Sequence, residues 1–197
     1  MKTKTEFYFF RHGESSSNQK MFWCGQKDDA ALSSQGRKQT LDLLEHLKQK
    51  NLSFDLIYSS PLQRALCSAG ILAYGFSCQI SVRKELIEAD YGVAEMMTFA
   101  DVKKNFPEVY DAWIKPHPQK YGLRFEKGES LQEVLERVFP LLDEISMSSA
   151  QRVLLVSHAG VLCSLMNVLG IENPRIANCE GFKVVRDEGG YWLDEIL

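Results

Sequence analysis

No stretch of this 197-residue sequence approaches the roughly 18 consecutive apolar residues that a membrane-spanning helix requires. The first residues, Met-Lys-Thr-Lys-Thr-Glu, lack an apolar core long enough for a secretory signal, so a cytoplasmic location with no membrane partner is the expectation. The five cysteines, Cys24, Cys67, Cys78, Cys163 and Cys179, are odd in number and contain no C-x-x-C pair. That argues against a disulfide framework and a structural zinc site, and leaves small half-buried thiols. Cys24 falls close to a conspicuous Arg-His pair, yet no base stands beside it in sequence. There is no internal repeat and no low-complexity tract. A large excess of charge of either sign is also missing. The formal net charge of -3 gives no reason to expect nucleic acid as a partner, so any anion must be held by a local cluster of cations.

What is present is the balance of an ordinary globular protein, 45% hydrophobic and 25% charged, long enough for one domain with a small insertion. Phe7-Tyr8-Phe9-Phe10 reads as a buried strand, ending abruptly in Arg11-His12-Gly13. Residues 13–31 read as a polar loop or short helix. Ser33 or Ser34 caps a helix whose apolar positions are Leu41, Leu44 and Leu47. Residues 54–58 and 79–82 read as strands. Pro61 suits the first turn of the helix between them, which carries Arg64. Thr98 with Asp101, and Ser130 with Glu133, have the spacing of capping boxes. Pro107, Pro116 and Pro118 punctuate a helical stretch, about 93–127, that reads as a cap inserted over the sheet. Its Tyr110 and Trp113 are expected in the cap's own core. The helix after Ser130 has a Leu/Val face and should kink at Pro140. Val153-Leu154-Leu155-Val156 is a fully apolar strand delivering His158, followed by a helix, and a closing hairpin turns at Gly189-Gly190. The alternation predicts a three-layer α/β/α sandwich with a mainly parallel sheet, as one domain spanning 1–197.

Three strand ends thus deliver Arg11 and His12, Arg64, and His158 to one edge of the sheet, where open α/β sheets place their ligand sites. Two arginines and two histidines there make an anion site, since guanidinium forks match phosphate oxygens. The helix start at Ala159 and Gly160 adds backbone donors, and Gly13 and Gly160 let backbone approach a bound group. A histidine can accept a phosphoryl group, but a leaving alkoxide still needs a proton from a carboxylic acid of raised pKa.

Phe10-Arg11-His12-Gly13-Glu14-Ser15-x-x-Asn18 closely resembles the signature of the histidine phosphatase superfamily, the phosphoglycerate mutase-like proteins. Ser60-Pro61-Leu62-Gln63-Arg64-Ala65, the stretch 85–92, Gly128-Glu129-Ser130 and Val156-Ser157-His158-Ala159-Gly160 resemble its later motifs, in the family's order. The resemblance implies His12 as nucleophile and Glu88 as proton donor. It also implies that Arg11, Asn18, Arg64, His158 and the backbone of Ala159 hold the phosphate, with no metal and no cofactor. Asp90, Glu95 and Glu14 are the nearby rivals of Glu88. Gly92-Val93-Ala94-Glu95-Met96-Met97-Thr98 is similar to the fructose-2,6-bisphosphatase subgroup. Phe99, Ala159 and Cys163 depart from that subgroup where its sugar is held, which argues against its substrate. Lys120 matches a sugar-phosphate lysine, and Lys120 with Arg124 are the cap residues expected to face the pocket. The expected function is a metal-independent phosphatase of a small phosphorylated metabolite, as a monomer or homodimer. The alternatives are a phosphoglycerate mutase, of which the known examples are longer, and a non-catalytic phosphate-binding module.

Overall fold

A computed structural model describes residues 4–18 and 22–197. The reading of Met1–Thr3 and of residues 19–21 within the polar loop lies outside them. Six strands form one sheet in the order β3-β2-β4-β1-β5-β6. They are β1 (Thr5–Arg11), β2 (Leu56–Ser59), β3 (Ile80–Val82), β4 (Arg152–Ser157), β5 (Gly181–Asp187) and β6 (Gly190–Ile196). β1, β2, β3 and β4 run parallel, while β5 and β6 add an antiparallel edge. The expected three-layer α/β/α architecture is what forms, with the last hairpin making the sheet mixed.

Side chains alternate across a strand, so β1 serves two cores. Phe7 and Phe9, with Val153 and Leu155 of β4, face one layer made by α5 (Leu131–Met147) and α6 (Ala159–Val168). Tyr8 and Phe10, with Leu154 and Val156, face the other, made by α1 (Ser34–Gln49) and α2 (Gln63–Phe76). The parallel strands are apolar on both faces because helices cover both.

Helix starts follow local chemistry closely. Ser33 Oγ accepts from the Gly36 N–H at 3.0 Å and opens α1, and Ser33 Oγ also donates to Glu14 at 2.7 Å. Ser130 and Glu133 complete a reciprocal capping box at the start of α5. Pro140 lies inside that helix. Thr98 caps α3 (Phe99–Asn105), and Pro107 begins α4 (Pro107–Ile114). Two expectations need correction. Leu41 is 50% exposed, because α1 buries only the narrower stripe of Gly36, Thr40, Leu44 and Leu47. α2 starts two residues beyond Pro61, and its first N–H is capped from a distance by Asp29 Oδ1. No helix among the described residues is long and apolar enough to cross a membrane.

Candidate active site

The parallel register puts Arg11 opposite Ser157 and Ser59 opposite Val156, so β1, β2 and β4 end on one edge. There a cavity of about 120 Å³ is lined by Arg11, His12, Asn18, Arg64, Glu88 and Ala159, with Cys24, Tyr91 and Phe99 among the rest of its wall. These expected site residues, some far apart in sequence, meet here.

His12 is 3% exposed, and its Nδ1 lies 2.7 Å from the Gly13 carbonyl. A carbonyl only accepts, so Nδ1 carries the proton and Nε2 keeps its lone pair. Burial, reinforced by Arg11 and Arg64, lowers the His12 pKa well below 6.5. The imidazole is therefore neutral near pH 7, the form that can attack an electrophile.

Arg64 enters at the first turn of α2. Its Nη1 donates to the Asp28 carbonyl at 2.7 Å and its Nη2 to the Gly25 carbonyl at 2.8 Å. Its Nε donates to His158 Nδ1 at 3.3 Å. Those three bonds fix the fork and, among the described residues, leave two of the five guanidinium N–H groups for an anion. Arg11 Nη1 donates to the Ile176 carbonyl at 2.9 Å, while its buried Nε has no partner among the described residues. A buried charged donor without a partner is costly, and an anion in the cavity would supply one. Asn18 Oδ1 accepts from the Ser15 N–H at 3.0 Å, so what Asn18 can offer an anion is its amide donors.

His158 departs from expectation. It is fully buried and does not line the cavity. Since its Nδ1 accepts from Arg64, its Nε2 carries the proton and donates to Ser60 Oγ at 2.7 Å. Both ring nitrogens are thus used by the protein, and burial lowers its pKa well below 6.5. In this arrangement His158 orients Arg64 and packs 5.0 Å, centroid to centroid, from the His12 ring rather than facing the anion itself.

Glu88 is 8% exposed, and burial raises its pKa above 4.5 against the pull of Arg64 and two backbone donors. Those donors are the Ala89 N–H at 2.9 Å and the Gly160 N–H at 3.2 Å. The Gly160 amide, expected to serve the phosphate, therefore serves the acid. Its rival Glu95 is buried as well but does not line the cavity. Both Glu95 oxygens accept backbone N–H groups, from Gln26 and Tyr91 on Oε1 and from Lys27 on Oε2. It pins the loop that holds Arg64 to the loop that holds Glu88. Asp90 accepts from the Gly92 N–H, and Glu14 from Ser33.

Several supports carried no local signal. Gln26 Nε2 donates to the Glu88 carbonyl at 2.7 Å. Arg137 reaches from α5 to the Glu85 carbonyl at 2.5 Å and pairs with Glu129, which also accepts from the Asp90 N–H. The Gly128-Glu129-Ser130 motif thus anchors the acid's loop. Asn178 Nδ2 donates to the His12 carbonyl at 2.9 Å. Asn178 Nδ2 also reaches Asn18 Oδ1 at 3.4 Å, and pairings over 160 or more positions are invisible in local patterning.

Gly13 and Gly160 are close approaches, but to protein. A Cβ on Gly13 would overlap the Gly36 carbonyl of α1. One on Gly160 would overlap the Tyr91 hydroxyl and stand 2.6 Å from Glu88 Oε1. Gly160→Ala is expected to push the acid aside, lowering kcat by about 10- to 100-fold, since misplacing a catalytic group by ~1 Å has that effect. A KM within about threefold of wild type would mark the effect as one on the acid.

Lys120 and Arg124 line neither this cavity nor its neighbour. Arg124 turns to Glu133 at 2.6 Å on the surface, and Lys120 ends an exposed 3-10 turn. The pairing with the helix start of α5 draws Arg124 away. Tyr110 and Trp113 instead line the neighbouring cavity. Cys24 and Cys163 are poor rivals as nucleophiles, because burial raises both thiols, Cys163 to about 12.

The chain has known relatives in sequence and in fold. The model of the histidine phosphatase superfamily (branch 1) matches residues 7–195. Phosphoserine phosphatase 1 of Hydrogenobacter thermophilus is 33% identical over 163 residues, covering 80% of this chain and 74% of that protein. A 6-phosphofructo-2-kinase/fructose-2,6-bisphosphatase of Gallus gallus is 29% identical over 164 residues, 83% of this chain but 32% of that protein. The chain spans about a third of that enzyme. Among solved structures, Bacillus stearothermophilus YhfR superposes with a TM-score of 0.79 at 26% identity, covering 97% and 96% of the two chains. A mycobacterial glucosyl-3-phosphoglycerate phosphatase superposes at 0.82 and 24% identity, covering 97% and 98%, a likeness of fold. The chain belongs to branch 1 of the histidine phosphatase superfamily.

Proposed function

We propose that the chain is a metal-independent phosphomonoesterase that works through a phosphohistidine at His12. The observation that carries this is the pairing, in one small cavity, of a neutral imidazole with a free Nε2 and a buried carboxyl of raised pKa. Arg11, Arg64 and Asn18 hold the phosphoryl oxygens and spread the charge of the transition state. His12 Nε2 attacks phosphorus, an N–P bond forms, and the P–O bond to the leaving oxygen breaks. Glu88 gives its proton to that oxygen, so the alcohol departs neutral. The Glu88 carboxylate then takes a proton from water as the water attacks phosphorus. The N–P bond breaks, inorganic phosphate leaves, and both groups return to their starting states. His158 and Ser60 keep Arg64 aimed throughout.

The substrate class is a small phosphorylated metabolite. The relatives named for phosphoserine, fructose 2,6-bisphosphate and glucosyl-3-phosphoglycerate support that class. A phosphoglycerate mutase would use the same groups but return the phosphoryl group to the bound acid. Incubation with phenyl phosphate is expected to release inorganic phosphate continuously, while 3-phosphoglycerate is not isomerised. Isomerisation outpacing phosphate release would favour the mutase. No release from any ester of a broad metabolite panel would leave only a binding module.

A further inference from the structure

A second cavity, about 360 Å³, opens beside the first and shares Trp23, Tyr91 and Ala159 with it. That volume is within the usual range for small-molecule sites. A phosphate seated between Arg11 and Arg64 would direct its ester substituent toward this shared wall. The wall continues through Tyr110, Trp113, Ile114, Cys163 and Ile176, so it is aromatic and apolar. Among the described residues, no Asp, Glu, Asn, Gln, Ser or Thr side chain lines it. A polyol placed here would bury hydroxyl donors with few side-chain acceptors to meet them.

Two donors in this wall lack a partner among the described residues. The Trp113 side chain is 8% exposed, and its buried Nε1–H makes no hydrogen bond. Arg175, the one charged residue of the lining, makes no ion pair or hydrogen bond. Its place is set by the catalytic centre itself. The next residue, Ile176, accepts through its carbonyl from Arg11 Nη1, and Asn178 donates to the His12 carbonyl. The loop that carries Arg175 is therefore clamped on its C-terminal side to both residues of the Arg11-His12 pair.

We propose that this cavity holds the substrate's leaving group, and that this group is a flat, largely apolar or aromatic body bearing a carboxylate directed at Arg175 and the Trp113 indole N–H. The proposal rests on the reading that the His12 centre hydrolyses phosphomonoesters. The flat body stacks among Trp23, Tyr110 and Trp113, and the carboxylate exchanges water for the exposed Arg175 guanidinium and reaches the buried Trp113 N–H, which has no partner among the described residues. A sugar phosphate brings neither a flat face nor a carboxylate.

The test compares kcat/KM for 3-carboxyphenyl phosphate, its neutral isostere 3-carbamoylphenyl phosphate, phenyl phosphate and fructose 6-phosphate. Wild type is expected to prefer the carboxylate over the carboxamide by about ten-fold or more, and to use fructose 6-phosphate least. Arg175→Gln, at an exposed position that folding does not depend on, is expected to bring the carboxylate-to-carboxamide ratio within about two-fold of unity. Trp113→Phe, which keeps an aromatic ring but removes the pyrrole half of the indole together with its N–H, is expected to lower the same ratio by about three-fold, with phenyl phosphate reporting the packing lost to both aryl esters alike. Equal use of the two aryl esters by wild type, an unchanged ratio in Arg175→Gln, or fructose 6-phosphate as the best substrate would each overturn the proposal. Hydrolysis of phenyl phosphate without these preferences sinks this inference alone. Hydrolysis of none of the four esters sinks the reading of the catalytic centre together with it.

Discussion

Replacing His12 with alanine is expected to lower kcat for every phosphomonoester by about 10⁴-fold or more, the scale on which enzymes lose rate when a covalent nucleophile is removed. The loss should fall on chemistry rather than binding. Arg64 is held by the Asp28 and Gly25 carbonyls and by His158, and Arg11 by the Ile176 carbonyl, none of which depends on the His12 ring. Calorimetric titration of His12→Ala with inorganic phosphate should therefore give a Kd within about ten-fold of wild type, because the arginine donors remain. Neither Cys24 nor Glu88, which also line the cavity, can replace the imidazole. The Cys24 thiol is kept protonated by burial, and Glu88 lies in surroundings that favour its neutral form. A variant retaining a tenth of the wild-type rate would place the nucleophile elsewhere.

Glu88→Gln is expected to produce the second large effect, and one that depends on the leaving group. Glutamine keeps the shape of the side chain but has no proton to transfer. Hydrolysis of an alkyl phosphate should slow by about 10²- to 10⁴-fold, the usual contribution of general acid–base catalysis. Phosphorylation of His12 by 4-nitrophenyl phosphate, whose leaving oxygen needs no proton, should slow far less. The pH profile carries the same information. His12 must be unprotonated to attack, so kcat/KM falls as pH drops through its pKa, which lies well below 6.5. Glu88 must be protonated to donate, so kcat/KM also falls as pH rises through its pKa, which lies above 4.5. Wild type should show a bell, with His12 setting the acid limb and Glu88 the alkaline limb. Glu88→Gln should lose the alkaline limb and keep the acid one. A variant that retains both limbs would assign the acid to another group, and the same loss for alkyl and nitrophenyl esters would deny Glu88 its role as proton donor.

The sheet and its site edge were legible because they are written locally. Phe7 to Phe10 and Val153 to Val156 are apolar at every position, which suits strands covered on both faces, and each ends directly in its histidine. Ser33, Thr98 and Ser130 announce their helices through hydrogen bonds that span three residues. What sequence could not convey is how side chains divide among competing partners. Lys120 and Arg124 are cations in the right segment, but a carboxylate at Glu133 draws Arg124 outward. Glu95 and Glu88 differ by seven positions and are both buried, and only the three backbone donors around Glu95 show that its charge is already met. Gly160 was expected to admit the phosphate and instead admits the acid and Tyr91. His158 was expected at the anion and stands behind Arg64, because Ser60 takes its second nitrogen. Asn178 and Gln26 entered the site only through contacts between distant loops.

The measurement that bears most directly on the central claim is the location of the phosphoryl group during turnover. The enzyme is mixed with 4-nitrophenyl phosphate, quenched in alkali within milliseconds to preserve a phosphoramidate, digested, and sequenced by tandem mass spectrometry. The account predicts one phosphoryl group, on His12, that forms in Glu88→Gln and is missing in His12→Ala. A phosphoryl group on Cys24, on Glu88 or on any serine, or turnover with no phosphorylated enzyme at all, would contradict it.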